Sequence, residues 1–149
     1  MDQFKRILLP LDASALSERA IDAAVAIAKE GQAEIIALHV RKDAARLDGE
    51  GVDEDLATLD GEAENLVNMV QGRHEGVELD LRPEVRTGRV VDTILHAAEV
   101  NMCDLIVMGS HGRKGLREQF TGSDAEKVVA GATVSVLVVK AEGFPYLRD

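Results

Sequence analysis

The residues best suited to chemistry lie in a glycine-rich, basic segment, residues 109–123. Glycine lets backbone N–H groups approach an anion closely. Gly122 and Ser123 open a predicted helix, and the first N–H groups and dipole of a helix also favour an anion. Three basic residues against one acidic residue give the segment a charge of plus 2 in a chain of net charge −10: Arg113, Lys114, Arg117 and Glu118. The segment predicts a phosphate site, although from spacing alone the glycines could equally just turn the chain and Ser123 just cap the helix.

Short apolar runs and helical periodicities alternate along the chain and would position this segment. The predicted strands are residues 6–12, 35–40, 78–85, 105–108 and 133–140. The predicted helices run from about Ser14 to Gly31, Leu56 to His74, Val91 to Ala98, and Ser123 to Ala132. The last of these helices has an expected core face formed by Ala125, Val128, Val129 and Ala132. The third strand alternates apolar and charged residues and contains Pro83, which predicts an edge strand with one wet face.

This alternation predicts an α/β fold, a three-layer doubly wound sheet of five parallel strands, formed by one domain spanning residues 1–149. With the third strand at one edge, the order 3-2-1-4-5 fits. The winding then reverses between the first and fourth strands, and ligands of open α/β sheets bind at the carboxyl ends of strands at such a point. The segments that leave those ends are 10–14 and the loop that begins at Gly109.

Composition excludes several classes of protein. The 149 residues include 46% hydrophobic and 30% charged residues, which suits a globular domain. An excess of acidic residues and only four aromatic side chains argue against nucleic-acid binding, and the apolar runs are too short to span a membrane. A single cysteine, Cys103, forms no intramolecular disulfide, and four scattered histidines have no metal-ligand spacing. We therefore expect a cytoplasmic protein without a protein-built metal site.

The glycine segment carries a family resemblance. Gly109, Gly112, Gly122 and Ser123 meet in full the pattern Gly, two residues, Gly, nine residues, Gly, Ser. This pattern is the nucleotide-binding signature of the universal stress protein family, and residues 7–12, 38–40, 104–113 and 136–139 also look like that family. The resemblance implies a fold like that of the adenine nucleotide alpha-hydrolases, frequent dimerisation, and ATP binding in the subset with this loop.

The resemblance also implies roles for individual residues. Asp12 would contact the ribose or adenine, with Pro10 beside it, and the backbone of Val40 would read the adenine edge. The ribose and phosphates would be held by Gly109, Gly112, Arg113, Gly122 and Ser123. These roles are physically sensible, because a carboxylate accepts hydrogen bonds from sugar hydroxyls or an exocyclic amine. Asp12 could alternatively cap the first helix. Asp124 departs from the family pattern, and its charge could repel a γ-phosphate unless a divalent cation bridges the two.

The hypothesis from the sequence is a binding module for ATP or AMP, with Mg²⁺ or Mn²⁺ possible through the phosphates, in a homodimer that pairs the apolar fifth strand. No catalytic residue is assigned, because no general base is placed by spacing. A Walker A loop and a G-x-G-x-x-G dinucleotide loop are both absent from the sequence. Two alternatives stay open: a nucleotide-free stress scaffold that acts through its dimer surface, and a slow ATP hydrolase.

Overall fold

The computed structural model describes residues 3–12, 17–41, 56–110 and 122–140. Strands and helices alternate through these ranges. The strands are β1 (Arg6–Pro10), β2 (Glu34–Arg41), β3 (Asp80–Thr87), β4 (Leu105–Gly109) and β5 (Ser135–Val139). The helices are α1 (Ser17–Gly31), α2 (Leu56–Arg73), α3 (Val90–Val100) and α4 (Gly122–Gly131). Within the described ranges, none of these helices is long and apolar enough to cross a membrane.

The five strands form one parallel sheet in the order β3-β2-β1-β4-β5, which confirms the predicted fold and order. β1 lies at the centre, where Ile7 pairs with Ile35 of β2 and with Leu105 of β4. The side chains of Ile7, Leu8 and Leu9 are completely buried. The continuous apolar runs of β1, β2 and β4 therefore reflect strands covered on both faces.

A pair of helices covers each face of the sheet. Alternate residues of the inner strands pack with α1 and α2 on one face, as Leu9 does, and with α3 and α4 on the other, as Leu8 does. α1 ends very close to the start of β1, because a Cβ atom at Gly31 would lie 3.0 Å from the Phe4 carbonyl oxygen. A glycine at this position lets the helix end pack against the chain.

The two edge strands are only partly buried. Pro83 of β3 lies beside Ala37 of β2, and residues of β3 are half-buried or exposed, as the alternating sequence predicted. β5 forms the other edge, beneath α4. The prediction that Val129 of α4 faces the core was wrong, since this side chain is 51% exposed. The strand below α4 is an edge strand, so the sheet does not extend far enough to cover the whole apolar face of this helix.

The amino ends of the central strands are tied together by charged groups. The Asp104 carboxylate accepts hydrogen bonds from the backbone N–H groups of Lys5 and Arg6, at 2.9 and 3.0 Å. The Arg6 guanidinium donates to the Glu34 carboxylate and to the Asn101 carbonyl, each at 3.1 Å. These bonds join the starts of β1, β2 and β4 to the end of α3.

A second charged cluster joins α1 to the end of α2. The Arg73 guanidinium donates to both carboxylate oxygens of Asp22, at 3.1 and 2.7 Å. The His74 Nε2 atom lies 2.8 Å from the same carboxylate. The hydrogen bond from Arg73 holds the pKa of Asp22 below its usual value, because it favours the charged carboxylate.

α3 ends in a turn that requires a left-handed residue. The Cys103 N–H donates to the Ala98 carbonyl at 2.9 Å, and Met102 between them has a φ of +54°. Glycine is favoured at this position, yet the chain has a methionine whose side chain is 74% exposed. Cys103 itself is buried, as predicted, and desolvation raises the pKa of its thiol to about 11.

We predict that Met102→Gly stabilises the protein. The left-handed conformation costs a residue with a side chain about 1–2 kcal/mol, which exceeds the extra chain entropy that glycine loses on folding. The free energy of unfolding, measured by urea denaturation, should rise by about 0.5–1 kcal/mol. His96→Gly, at an exposed position inside α3, is the control and should lower it by about 0.5 kcal/mol. A loss of stability in Met102→Gly would contradict the prediction.

Candidate functional site

The carboxyl ends of β1 and β4 form the point where the winding of the sheet reverses. From β1 the chain continues through α1 and α2 on one face of the sheet, whereas β4 is flanked in sequence by α3 and α4 on the other. The connections therefore leave the sheet in opposite directions and open a crevice above β1 and β4. This is the crevice that the sequence predicted.

Two polar residues are buried at this crevice. Asp12 is 8% exposed and Ser110 is 5% exposed, and within the described ranges they are the only buried polar or charged residues. Both take part in polar interactions. Each follows the last residues of its strand, and the two strands are neighbours, with Ile7 paired to Leu105 and Leu8 to Ile106. A buried carboxylate and a buried hydroxyl thus lie at neighbouring strand ends.

These two side chains belong to the face of the sheet that α3 and α4 cover. Leu11 packs in the core under α1 and α2, and its N–H continues the pairing of β1 with β2 by donating to the Leu38 carbonyl at 2.9 Å. Side chains alternate along a strand, so Asp12 lies on the opposite face. The same alternation places Ser110 with Met108, which packs against α3 and α4.

Most of the predicted site residues are described. Pro10 is the last residue of β1 and is buried, and Gly109 is the last residue of β4, paired with Val139. Val40 is buried in β2, the strand directly beside β1. Gly122 and Ser123 begin α4, with Ser123 exposed. Gly112 and Arg113 lie outside the described residues.

A polar cluster supports the end of β2 from the opposite face. The Glu62 carboxylate of α2 lies 3.2 Å from His39 Nε2 and 3.2 Å from Arg41 Nε. His39 and Arg41 flank Val40 in the strand. The cluster therefore joins α2 to the end of β2, on both sides of Val40, whose backbone was predicted from the sequence to contact the ligand.

A groove of about 700 Å³ lies between the first turns of α3 and α4. Its charged lining residues are Arg89, Asp92, Asp124 and Lys127. Gly88 also lines it, and the Gly88 N–H donates to the Arg41 carbonyl at 2.9 Å, which joins the ends of β3 and β2. The sequence did not predict Arg89, Asp92, Lys127 or Ser110 as site residues. Their position directly after a strand end or in the first turns of helices three and four is the signal that could have found them.

The arrangement suits binding of a polar ligand with an anionic end. The buried Asp12 carboxylate can accept hydrogen bonds from ligand hydroxyl or amino groups, and the N–H groups at the start of α4 can donate to an anion. Among the described residues, no group of three or more His, Cys, Asp or Glu side chains could hold a metal ion. A cation near the anionic end would therefore need ligand atoms from outside that set.

The chain matches the universal stress protein family over residues 3–140. It is 35% identical over 140 residues to universal stress protein MJ0531 of Methanocaldococcus jannaschii, with 92% of this chain and 82% of that protein covered. Among solved structures, MJ0577 of the same organism superposes with a TM-score of 0.77 at 30% identity, covering 96% of this chain and all of that one.

Two further structures share the fold at lower identity. A universal stress protein solved in complex with cAMP has a TM-score of 0.68 at 19% identity and covers 93% of this chain and 98% of its own. A universal stress protein from Archaeoglobus fulgidus, solved in complex with dAMP, has a TM-score of 0.62 at 23% identity and covers 94% of this chain and 100% of its own.

We predict that Gly88→Ala lowers stability more than Gly76→Ala. Both glycines have positive φ values, +154° and +81°, but an added Cβ at Gly88 would lie 2.7 Å from the Thr93 hydroxyl oxygen, whereas nothing lies within 4 Å of one at Gly76. Urea denaturation should show a loss of about 1 kcal/mol for Gly76→Ala and a larger loss for Gly88→Ala.

Thr93→Ala tests whether the contact with Thr93 causes the larger loss at Gly88, since it removes the hydroxyl oxygen that the added Cβ would approach. Gly88→Ala should cost less stability in the Thr93→Ala background than in the natural protein. Equal costs in both backgrounds would show that the contact with Thr93 is not the reason.

Proposed function

Because the chain belongs to the universal stress protein family, we propose that it binds an adenine nucleotide, ATP or AMP, in the crevice above β1 and β4. The observation that carries the proposal is the burial of Asp12 and Ser110 at these neighbouring strand ends. A carboxylate accepts hydrogen bonds, and a hydroxyl both donates and accepts them, so these two groups suit the hydroxyl and amino groups of a nucleoside.

The proposed site has a nucleoside end and a phosphate end. Asp12 accepts hydrogen bonds from ribose hydroxyls or the adenine amino group, Val40 presents its backbone to the adenine edge, and Pro10 supports both from β1. Gly109, Gly112, Arg113, Gly122 and Ser123 hold the ribose and phosphates. The glycines admit phosphate close to backbone donors, and the start of α4 adds a favourable dipole.

The two nucleotide complexes of fold neighbours support an adenine monophosphate core as the recognised unit. A divalent cation, Mg²⁺ or Mn²⁺, would bind through the phosphates. Asp124, in the first turn of α4, is the carboxylate nearest in sequence to the proposed phosphate donors, and carboxylate and phosphate oxygens are the ligands such ions prefer. When bound, the ion would neutralise phosphate charge beside Asp124.

We propose a regulatory role in the cytoplasm during stress, in which nucleotide occupancy alters contacts with partners. The lone Cys103 supports a reducing compartment, because it is buried and has no cysteine with which to form a disulfide. A nucleotide-free scaffold and a slow hydrolase are the alternatives that the binding experiment and a turnover assay with Mg²⁺ distinguish.

We predict one adenine nucleotide per chain. Isothermal titration calorimetry of nucleotide-free protein should give heat with ATP and AMP and little with GTP. Asp12→Ala should weaken ATP and adenosine together, because it removes a contact to the nucleoside that both ligands share. Gly122→Val should weaken ATP far more than adenosine, which lacks phosphates. No heat with any adenine nucleotide would favour the scaffold.

The same measurements can reject the division of the site. Each variant is characterised by how much its ATP affinity changes relative to its adenosine affinity. If this relative change is the same in Asp12→Ala and Gly122→Val, the nucleoside and phosphate ends are wrongly assigned. If neither variant changes ATP affinity while both remain folded, the site lies elsewhere. Ser123→Ala should in addition lower the free energy of unfolding by about 1 kcal/mol if the serine caps α4.

We further propose a homodimer that pairs β5 with its copy about a twofold axis. Within the described ranges no strand pairs with the outer side of β5. Leu137 of β5 is 38% exposed and Val129 of α4 is 51% exposed, so both faces of this edge present apolar side chains. An uncovered apolar edge invites association, and a twofold pairing closes it.

We predict that Leu137→Lys weakens this dimer, because it places a charge in the apolar edge and opposite its own copy. Light scattering at micromolar concentration should report twice the chain mass for the natural protein and a lower average mass for the variant. Val100→Lys is the matched control, since Val100 is also exposed but lies at the end of α3. A natural protein that is monomeric, or equal loss of mass in both variants, would count against β5.

A further inference from the structure

The groove between the first turns of α3 and α4 carries basic side chains on both of its walls. Arg89 lies at the start of α3 and Lys127 in α4. We propose that these two residues bind the phosphates beyond the first, so that the protein selects nucleoside di- and triphosphates over monophosphates. This inference rests on the proposed function. It goes beyond it by naming two residues that select the ligand by its number of phosphates.

The groove is on the correct side of the sheet for this role. Asp12 and Ser110 follow Leu8 and Met108 by four and two residues, so the alternation of side chains assigns them to the face that α3 and α4 cover. The groove separates the beginnings of those two helices. Asp124, which lines the groove, immediately follows Ser123 of the proposed phosphate end. A phosphate chain that starts at Gly122 and Ser123 therefore has this groove as its neighbouring space.

Lys127 is placed to reach the phosphate end of the crevice. It follows Ser123 by four residues in α4, so the two share one side of the helix. Both are exposed, while Ala125 and Val128 bury the opposite side. Side chains in a helix tilt toward its amino end, which directs the Lys127 ammonium group back toward Ser123.

Arg89 differs from the other arginines in the described ranges because its side chain alone has neither a hydrogen bond nor an ion pair, while its backbone carbonyl accepts from the Thr93 N–H at 2.9 Å. Arg6, Arg73, Arg82 and Arg86 each pair with carboxylates. Arg89 is the N-cap residue of α3, in an extended conformation, and its side chain makes no capping bond. In a chain with 27 acidic and 17 basic residues, an unpaired guanidinium at the rim of a groove suits an anionic ligand.

The groove also contains carboxylates, which should have the opposite effect on the affinity for ATP. Asp92 lies in the first turn of α3 and faces the same space as Arg89. Like charges repel, so Asp92 should weaken a polyphosphate that enters the groove. Removing this charge should strengthen ATP binding, whereas removing either basic charge should weaken it.

The experiment compares ATP, ADP and AMP by isothermal titration calorimetry at constant ionic strength, with Arg89→Gln, Lys127→Gln and Asp92→Asn. Arg89→Gln and Lys127→Gln should each lower ATP affinity about tenfold, the size expected for a lost charged hydrogen bond, and change AMP affinity less than about twofold. Asp92→Asn should raise ATP affinity and leave AMP unchanged. Lys29→Gln makes the same charge change in the last turn of α1 and should alter neither ligand.

The outcomes separate the two proposals. If AMP and ATP bind but Arg89→Gln and Lys127→Gln weaken both equally, or weaken neither, the groove does not select phosphates and the nucleotide site stands. If Lys29→Gln has the same effect as the groove variants, the cause is net charge and the inference fails. If the natural protein binds no adenine nucleotide, the proposed function and this inference both fail. Thermal unfolding of every variant confirms that the proteins compared are folded.

Discussion

The burial of the central strands on both faces is the constraint on which the rest of the structure depends. Ile7, Leu8 and Leu9 of β1 are completely covered, so their N–H and C=O groups must find partners in the neighbouring strands. Parallel pairing with β2 and β4 supplies them and requires crossover helices, which then cover the two faces. With α1 and α2 on one face and α3 and α4 on the other, the winding must reverse beside β1, and the crevice follows from that reversal.

The two ends of this sheet do different work. At the amino ends, Asp104, Arg6 and Glu34 form hydrogen bonds between the strands, and these bonds stabilise the fold. At the carboxyl ends, the buried Asp12 and Ser110 lie where the chain turns away to both sides. The polar residues that join the amino ends of the strands are therefore different from those proposed to contact a ligand.

The charged residues also divide into those that stabilise the fold and those near the proposed site. The acidic chain pairs most of its described arginines with carboxylates, as in the Arg73 and Asp22 cluster between α1 and α2. Such pairs are partly exposed and contribute modestly to stability. Arg89 and Lys127 line the groove between the first turns of α3 and α4. Their positive charge favours the approach of an anion there, whereas the excess of negative charge on the rest of the chain repels it.

The sequence by itself determined the elements and the edge position of β3, because apolar periodicity reports burial locally and Pro83 marks an edge. The strand order and the place of the crevice fitted the sequence, and the structure fixed them through the strand pairing. The sequence also identified Asp12 and the glycine pattern as candidates for the site. Only the tertiary structure decided that Val129 is exposed, that Ser110 is buried, and that Arg89 shares a groove with α4. Each of these depends on which distant segments lie beside a residue, and on where the sheet ends, and periodicity along one segment carries no information about either.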